Sequence, residues 1–202
     1  MNELDLFSGL EGASVGFKER GHWRMYRDVW ILGPPDNGYP GGFPRGLINR
    51  VKRRWWGKER LWVCSGRVRD GGITVDIKRE VNPKIIANGE YLPIRPDRFD
   101  FVFLDPPYSE SEAKEMYGTG YPNPFKLLKE AWRVTKGGGH VLFLHRLIPG
   151  SMLGLPMRSQ NVVAIVGVGR VGAWSNMRAL TVFRKPEQLQ GLTFDNDTHA
   201  PP

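Results

Sequence analysis

Short apolar runs, separated by glycine, proline and charged residues, dominate the chain from residue 60 onward. Seven of these runs have the length of β-strands, and several carry apolar residues at consecutive positions, which is typical of strands buried on both faces. The predicted strands span residues 60–64, 73–77, 83–87, 99–104, 140–147, 162–168 and 178–184. Because helical segments and glycine-rich turns connect them, the pattern predicts an α/β fold with a seven-stranded sheet and helices on both faces.

Two segments of the chain show the period of an amphipathic helix. Residues 47–56 predict a short helix with a basic face, and residues 124–135 predict a longer helix whose apolar positions recur every three or four residues. Lys136 and Gly137 follow the second segment and are expected to end that helix.

The two ends of the chain lack this regular pattern. Residues 33–44 are rich in glycine and proline and predict a long loop, whereas residues 4–8 suit a short strand and residues 14–20 a helix. The tail after Lys185 is polar and predicts disorder. We therefore divide the chain into an irregular N-terminal extension, a central domain and a tail, at residues 1–44, 45–185 and 186–202.

The composition fits a globular protein and excludes several classes. Hydrophobic residues make up 40% and aromatic residues 11% of the 202 residues, which is enough for a core. There is no apolar run near the roughly 20 residues that span a bilayer and no N-terminal signal pattern, which predicts a cytoplasmic protein with no membrane partner. The single cysteine, Cys64, excludes a disulfide framework. His140 and His145 have no third ligand near them in the sequence, so no metal site is predicted.

Positive charge is concentrated in one stretch of the chain. The formal net charge is +8, and residues 45–80 contain eleven Lys and Arg residues against four Asp and Glu residues, a local net charge of +7. Trp55, Trp56 and Trp62 lie among these cations. Such a combination is typical of a phosphate-binding surface, although a solvated basic face accounts for the charge equally well.

The clearest chemical signal follows the predicted strand at residues 99–104. This strand leads into Asp105, Pro106, Pro107 and Tyr108, at the sheet edge where open α/β folds bind ligands. Two consecutive prolines fix the backbone, so the Asp105 carboxylate and the Pro106 carbonyl form a rigid acceptor pair, and Tyr108 offers a flat surface. This set suits a planar substrate with an exocyclic amino group, because the acceptors bind both amino hydrogens and localise the nitrogen lone pair for attack on an electrophile.

The sequence from Asp105 to Tyr108 resembles the D-P-P-Y motif of class I S-adenosylmethionine-dependent methyltransferases that act on adenine N6 or cytosine N4 in nucleic acids. The resemblance covers about residues 40–185 and implies a Rossmann-like, seven-stranded sheet whose last two strands form a hairpin. It also implies methyl transfer from S-adenosylmethionine to an exocyclic amine of DNA, with adenine N6 favoured over cytosine N4. The catalytic residues that it implies are Asp105, Pro106, Pro107 and Tyr108.

The same resemblance implies a set of cofactor-binding positions. In the family, a glycine turn follows the first strand, an acidic residue ending the second strand binds the ribose, and a polar residue after the third meets the adenine. An F-P-x-x-L segment packs beside the methionine moiety in some members. The matching positions are Phe43, Pro44, Cys64, Ser65, Gly66, Asp76, Ile77, Asn88 and Asp105. The cations expected to contact DNA phosphates are Arg50, Arg53, Arg54 and Lys58.

Several features leave other interpretations open. The glycine turn has only Gly66 where the family has two glycines, so a degenerate fold that binds nucleic acid is one alternative. RNA, a protein or a small molecule is another possible substrate, because residues 109–124 leave little room for a DNA-recognition domain. Residues 5–12 resemble the first motif of DNA cytosine-5 methyltransferases, although no Pro-Cys nucleophile follows. Residues 167–172 have the G-x-G-x-x-G pattern, but a turn and a strand follow, which favours a hairpin over a dinucleotide site.

Overall fold

The computed structural model describes residues 26–33, 43–149, 159–167 and 176–187. These residues contain one mixed sheet of eight strands, in the order β1-β7-β8-β6-β5-β2-β3-β4. Strand β8 runs antiparallel to its neighbours β6 and β7, and all other neighbouring strands are parallel. The strands are β1 (Tyr26–Leu32), β2 (Arg60–Val63), β3 (Ile73–Asp76), β4 (Ile85–Ile86), β5 (Phe99–Leu104), β6 (Thr135–His145), β7 (Ser159–Gly167) and β8 (Asn176–Arg184).

Helices cover both faces of this sheet, as the sequence predicts. The described helices are α1 (Leu47–Trp55), α2 (Glu110–Tyr117) and α3 (Pro124–Val134), with a short 3₁₀ turn at Arg79–Val81. Helix α1 buries Leu47, Val51 and Trp55 against one face, and α3 buries Leu128 and Trp132 in the separate core on the other face. Helices α1 and α3 thus each contribute one apolar stripe to one of two cores.

The central strands contribute side chains to both cores. In β5, Phe101 and Phe103 pack in the core on the α1 side, while Val102 and Leu104 pack in the core on the α3 side. Successive side chains of a strand point to opposite faces, so a strand covered on both sides must be apolar at every position. This requirement explains the continuous apolar runs from which the central strands are predicted. The antiparallel pairing of β7 with β8 also confirms the terminal hairpin.

The predicted count of seven strands is wrong, because β1 adds an eighth. It lies within residues 1–44, the segment predicted to be irregular, and pairs in parallel with β7 at an edge of the sheet. Trp30 and Leu32 of β1 are buried, whereas Val29 and Ile31 are 61% and 59% exposed. The described residues therefore cover only one face of the strand, although residues 29–32 form a run of four consecutive apolar residues.

Helix α2 is a second element that the apolar pattern does not reveal. Only Ala113 of this helix is buried, so its sequence carries no apolar stripe. Its start is nevertheless encoded in the spacing of Ser109 and Glu112. The Ser109 hydroxyl accepts a hydrogen bond from the backbone N–H of Glu112, and the Glu112 carboxylate accepts one from the N–H of Tyr108, a variant of the capping box.

Some sequence predictions fall on residues that the structure does not describe. These are the short strand at 4–8, the helix at 14–20, most of the loop at 33–44, most of the glycine-rich segment at 167–172 and the tail beyond 187. The domain boundaries remain a prediction. None of the helices in the described ranges has both the length and the apolar character needed to cross a membrane.

Candidate functional site

A cavity of about 600 Å³ opens where the carboxyl ends of β2, β3, β4 and β5 meet. This volume is within the usual range for small-molecule sites. All nine positions predicted to bind a cofactor line this cavity, although they come from five separate segments of the chain. They are Phe43, Pro44, Cys64, Ser65, Gly66, Asp76, Ile77, Asn88 and Asp105.

Asp76 at the end of β3 organises the turn that follows β2. Its Oδ2 atom accepts a hydrogen bond of 2.8 Å from the backbone N–H of Gly66, and its Oδ1 atom accepts one of 2.9 Å from the N–H of Lys78. The side chain is buried apart from its contact with the cavity. Each carboxylate oxygen has a second lone pair, so Asp76 keeps acceptor capacity for hydroxyl groups of a ligand.

Ser65 supplies a polar group on the cavity wall that has no partner within the described part of the chain. The residue is 5% exposed, and its Oγ atom makes no hydrogen bond to any described residue. Buried hydroxyl groups in native proteins are nearly always paired. The Ser65 hydroxyl is thus a polar group beside the cavity that keeps its hydrogen-bonding capacity.

The turn after β2 keeps a tight path despite its single family glycine. Gly66 has a φ of 49°, and Cys64 itself adopts the left-handed conformation with a φ of 53°. A residue with a Cβ atom pays roughly 1–2 kcal/mol for this conformation. Burial, followed by the nearby Asp76 and Asp105 carboxylates, raises the pKa of the Cys64 thiol. The thiol is therefore protonated at neutral pH and is not a nucleophile.

We expect the free energy of unfolding of Cys64→Gly to exceed that of Cys64→Ala by about 1 kcal/mol. Both variants lose the thiol, but only glycine adopts the left-handed conformation without strain. Chemical denaturation of the two purified variants measures this difference. Equal free energies of unfolding for the two variants would contradict the strained turn.

Asp105 follows β5 directly and lies on the cavity wall. Its Oδ1 atom accepts a hydrogen bond of 2.6 Å from the Tyr108 hydroxyl. Burial raises the pKa of Asp105 to about 7, against the opposing effects of the Tyr108 hydrogen bond and the Arg178 charge. Both protonation states of Asp105 are thus accessible near neutral pH.

The other three residues of the motif have different environments. Pro107 lines the cavity with Asp105, whereas Pro106 and Tyr108 are not among the described residues of the wall. The Tyr108 ring is approached by the guanidinium groups of Arg178 and Arg146, at 5.5 Å and 5.7 Å from its centroid. The structure therefore does not place Tyr108 as the flat surface predicted for a substrate ring, nor does it bring Pro106 to the wall as the second acceptor.

Two tyrosines at the end of α2 and just after it contribute aromatic side chains to the cavity wall. Tyr117 and Tyr121 line the cavity with Pro107. Neither tyrosine was predicted from the sequence, because α2 has no apolar stripe and residues 118–123 have no strand or helix pattern that would place them over the sheet edge. The local signal is that each tyrosine adjoins a glycine, Tyr117 beside Gly118 and Tyr121 beside Gly120.

His145 at the end of β6 contacts the backbone of the motif at Pro107. Its Nδ1 atom accepts a hydrogen bond of 2.8 Å from the backbone N–H of Leu147, so Nε2 carries the proton of the neutral ring. A hydrogen bond links the imidazole to the backbone of Pro107. Burial lowers the pKa of His145, which keeps the ring neutral. Within the described ranges, no group of three or more His, Cys, Asp or Glu residues is arranged to hold a metal ion.

The cations predicted to contact phosphates are not part of the described cavity wall. Helix α1 starts at the cavity, which Ile48 and Asn49 line, and then runs toward the opposite edge of the sheet. Arg54 borders a separate depression there, beside Asp100. Arg50, Arg53, Arg54 and Lys58 are not among the described residues of the cavity wall. The lining of the cavity does not test the prediction that these four residues contact DNA phosphates, which stays a prediction.

A different set of cations forms the basic rim of the cavity. The basic rim consists of Arg45, Arg67, Arg69 and Lys78. These residues belong to the basic stretch at 45–80, but no role was predicted for them from the sequence. Their signal is positional, since they adjoin Phe43 and Pro44, the glycine turn and Asp76.

Comparisons with known proteins give a fold likeness and no family. No family model and no curated protein matches the chain. Solved structures with similarity to it include an S-adenosylmethionine-dependent methyltransferase from Thermotoga maritima, with a TM-score of 0.34 and 19% identity over 48% of each chain. Another from Aquifex aeolicus has a TM-score of 0.41 and 16% identity, over 67% of this chain and 89% of that chain.

A third similar structure comes from Listeria monocytogenes and is described as a class I S-adenosylmethionine-dependent methyltransferase. Its TM-score is 0.36 and its identity 15%, over 77% of this chain and 59% of that chain. The chain thus spans about half the length of the Thermotoga protein and three fifths of the Listeria protein.

Proposed function

We propose that the chain is an S-adenosylmethionine-dependent methyltransferase that modifies an exocyclic amino group of a nucleobase in DNA, with adenine N6 favoured over cytosine N4. The observation that carries this proposal is the convergence of nine separately predicted positions on one cavity. Five segments of chain contribute them, so their meeting is not a consequence of proximity in sequence. The motif aspartate, Asp105, lies in the same cavity as the ribose-binding candidate Asp76.

The residues present fit this cofactor. Asp76 would accept hydrogen bonds from the ribose hydroxyls, and the orphaned Ser65 hydroxyl would gain a partner. Asn88 would meet the adenine, while Phe43 and Pro44 would pack beside the methionine moiety. When bound, S-adenosylmethionine supplies a methyl group on a sulfonium that an amine can attack. Left-handed Cys64 also supports an enzyme over a degenerate fold, because the turn is formed without the second family glycine.

Asp105 would orient the amine of the substrate. Its Oδ1 atom is held by Tyr108, and its Oδ2 atom would accept a hydrogen from the exocyclic amino group. This contact directs the nitrogen lone pair away from the ring and toward the electrophile. Methyl transfer needs alignment more than acid–base catalysis, so positioning supplies most of the rate.

A base in duplex DNA must leave the stack to reach a recessed acceptor of this kind. Tyr117 and Tyr121 line the cavity beside Pro107 and would offer rings to the extruded base. Stacking on aromatic side chains stabilises an unpaired base by about 1–3 kcal/mol. A net charge of +8 favours a polyanionic substrate.

Incubation with radiolabelled S-adenosylmethionine and defined DNA or RNA, followed by nucleoside analysis, tests the proposal. We expect label in N6-methyladenine of DNA. Label in N4-methylcytosine would change the base, and label in RNA or in a protein would change the substrate class. If calorimetry detects no binding of S-adenosylmethionine, the enzyme assignment fails.

The basic rim predicts which cations carry the salt dependence of DNA binding. We expect Lys78→Gln to weaken DNA binding several-fold and to reduce the slope of log affinity against log salt by about 0.9, the value for one duplex phosphate. Lys58→Gln is the matched control, because it removes the same charge at the far end of β2. Fluorescence anisotropy at several salt concentrations measures both slopes. If only Lys58→Gln changes the slope, the phosphate-binding surface lies at the other edge of the sheet.

A further inference from the structure

Arg178 reaches the motif from β8, a strand about 70 residues farther along the chain. Its side chain is half-buried, and its Nη1 atom donates a hydrogen bond of 3.1 Å to the Tyr108 hydroxyl oxygen. The guanidinium also lies over the Tyr108 ring, 5.5 Å from the centroid. A cation buried at this point has a desolvation cost, so it calls for an explanation beyond packing.

The chemistry of the three groups fixes the direction of the hydrogen bonds. A guanidinium has only donors, so the Tyr108 oxygen must accept from Arg178. The Tyr108 proton is then directed to the Asp105 carboxylate, whose Oδ1 atom lies 2.6 Å away. The result is a continuous chain from Arg178 through Tyr108 to Asp105, in which each member has one role.

We infer that Arg178 is a positioning residue for Asp105: acting through the Tyr108 hydroxyl, it holds one carboxylate oxygen and leaves the other to accept the amino group of the substrate. The inference rests on the proposed function for its substrate. Tyr108 is then part of the support of the acceptor rather than the surface on which a base stacks. This role accounts for its hydroxyl, which a purely stacking ring does not need.

Of the other titratable groups near Asp105, one opposes its ionisation and one is neutral. Glu112 from α2 adds a like charge, and the Cys64 thiol at the end of β2 is protonated. Arg178 is the cation that favours the carboxylate. Burial and Glu112 raise the pKa of Asp105, whereas Arg178 and the Tyr108 hydrogen bond lower it. Removing Arg178 should therefore raise this pKa.

Carboxyl ¹³C NMR on protein labelled at aspartate Cγ tests this directly, with Asp105→Asn used to assign the resonance. We expect the titration of Asp105, at a pKa of about 7 in the wild type, to move to higher pH in Arg178→Met. Arg146→Met is the matched control, because Arg146 faces the same ring at 5.7 Å but does not contribute to the pKa of Asp105. An unchanged titration in Arg178→Met, or an equal shift in both variants, would overturn the inference.

A second variant covers the case in which Arg178→Met does not fold, as judged by circular dichroism. Tyr108→Phe keeps the ring and removes the hydroxyl that links Arg178 to Asp105. Since the Tyr108 hydrogen bond lowers the pKa of Asp105, its loss should also move the titration to higher pH. A folded Tyr108→Phe protein whose Asp105 titrates as in the wild type would overturn the inference.

The pH profile of methyl transfer connects this titration to the reaction. We expect Arg178→Met to lose about fivefold or more in kcat at pH 7 and to recover at higher pH, because a nearby opposite charge shifts a carboxyl pKa by about 1–3 units. A loss that is the same at every pH would indicate a structural role only. If the wild type transfers no methyl group, the proposed function fails, whereas the NMR titration still decides the role of Arg178.

Discussion

Exchanging Asp105 for alanine is expected to lower the rate of methyl transfer by at least about a hundredfold, because the variant loses the group that aligns the amine. Asp105→Asn should be no better, although it is nearly isosteric. Its amide oxygen would accept from the Tyr108 hydroxyl, as Oδ1 of Asp105 does, and its NH₂ group would then face the cavity. Two donors would oppose each other there, since the substrate amine also presents N–H groups.

Single-turnover kinetics with labelled S-adenosylmethionine measures this loss, and two controls separate it from damage to the fold. Calorimetry gives the affinity of all three proteins for S-adenosylmethionine, and the rates are compared at saturating cofactor, because Asp105 is also one of the predicted cofactor-binding positions. A rate for Asp105→Asn close to that of the wild type would show that the carboxylate is not the acceptor, and the assignment of the motif would be wrong.

Thermal unfolding supplies the second control, because the pKa of Asp105 is shifted upward in the folded protein and this shift affects stability. The folded-state pKa of about 7 lies above the ordinary value of 3.8, so the folded state binds the proton more tightly than the unfolded state. Asp105 therefore reduces the stability of the wild type as the pH rises from about 4 to about 7. Both variants lack this loss, and we expect them to melt at or above the wild-type temperature at pH 8.

Much of the cavity could be predicted, because several of its residues directly follow apolar runs that the sequence shows clearly. Gly66, Asp76 and Asp105 each come at the end of an apolar run, and parallel strands bring their carboxyl ends to one edge. No side-chain detail is needed for that inference. The helices on both faces follow from the same apolar runs, since a two-sided strand must be covered twice.

What could not be predicted depends on contacts between distant segments. Arg178 is one of several arginines in the sequence, and only the antiparallel return of β8 beside β6 brings it to Tyr108. Lys58 and Arg54 lie close to the glycine turn in sequence but at the far edge in space, because α1 and β2 together make a full reversal across the sheet. Proximity along the chain was a poor guide to these charges, since surface cations leave no periodic pattern to orient them.

Exchanging Asp76 for alanine is expected to weaken the binding of S-adenosylmethionine by about a hundredfold or more. Two hydroxyl hydrogen bonds to a charged acceptor would be lost, each contributing about 1.5–3 kcal/mol. The variant also releases the N–H groups of Gly66 and Lys78, which the carboxylate holds at 2.8 Å and 2.9 Å. Isothermal titration calorimetry measures the affinity directly, without any assumption about the acceptor substrate.

Thr74→Val is the matched control, because Thr74 lies on the same strand and its hydroxyl also accepts a backbone hydrogen bond, from Lys84 at 2.9 Å. Thr74 is buried and is not among the residues that line the cavity. Both variants should therefore lose stability, but only Asp76→Ala should lose affinity. If Thr74→Val weakens binding equally, Asp76 acts through the stability of β3 rather than by contact with the ribose. If Asp76→Ala binds S-adenosylmethionine as tightly as the wild type does, Asp76 does not bind the ribose hydroxyl groups. The proposed cofactor site would then lack its main polar contact.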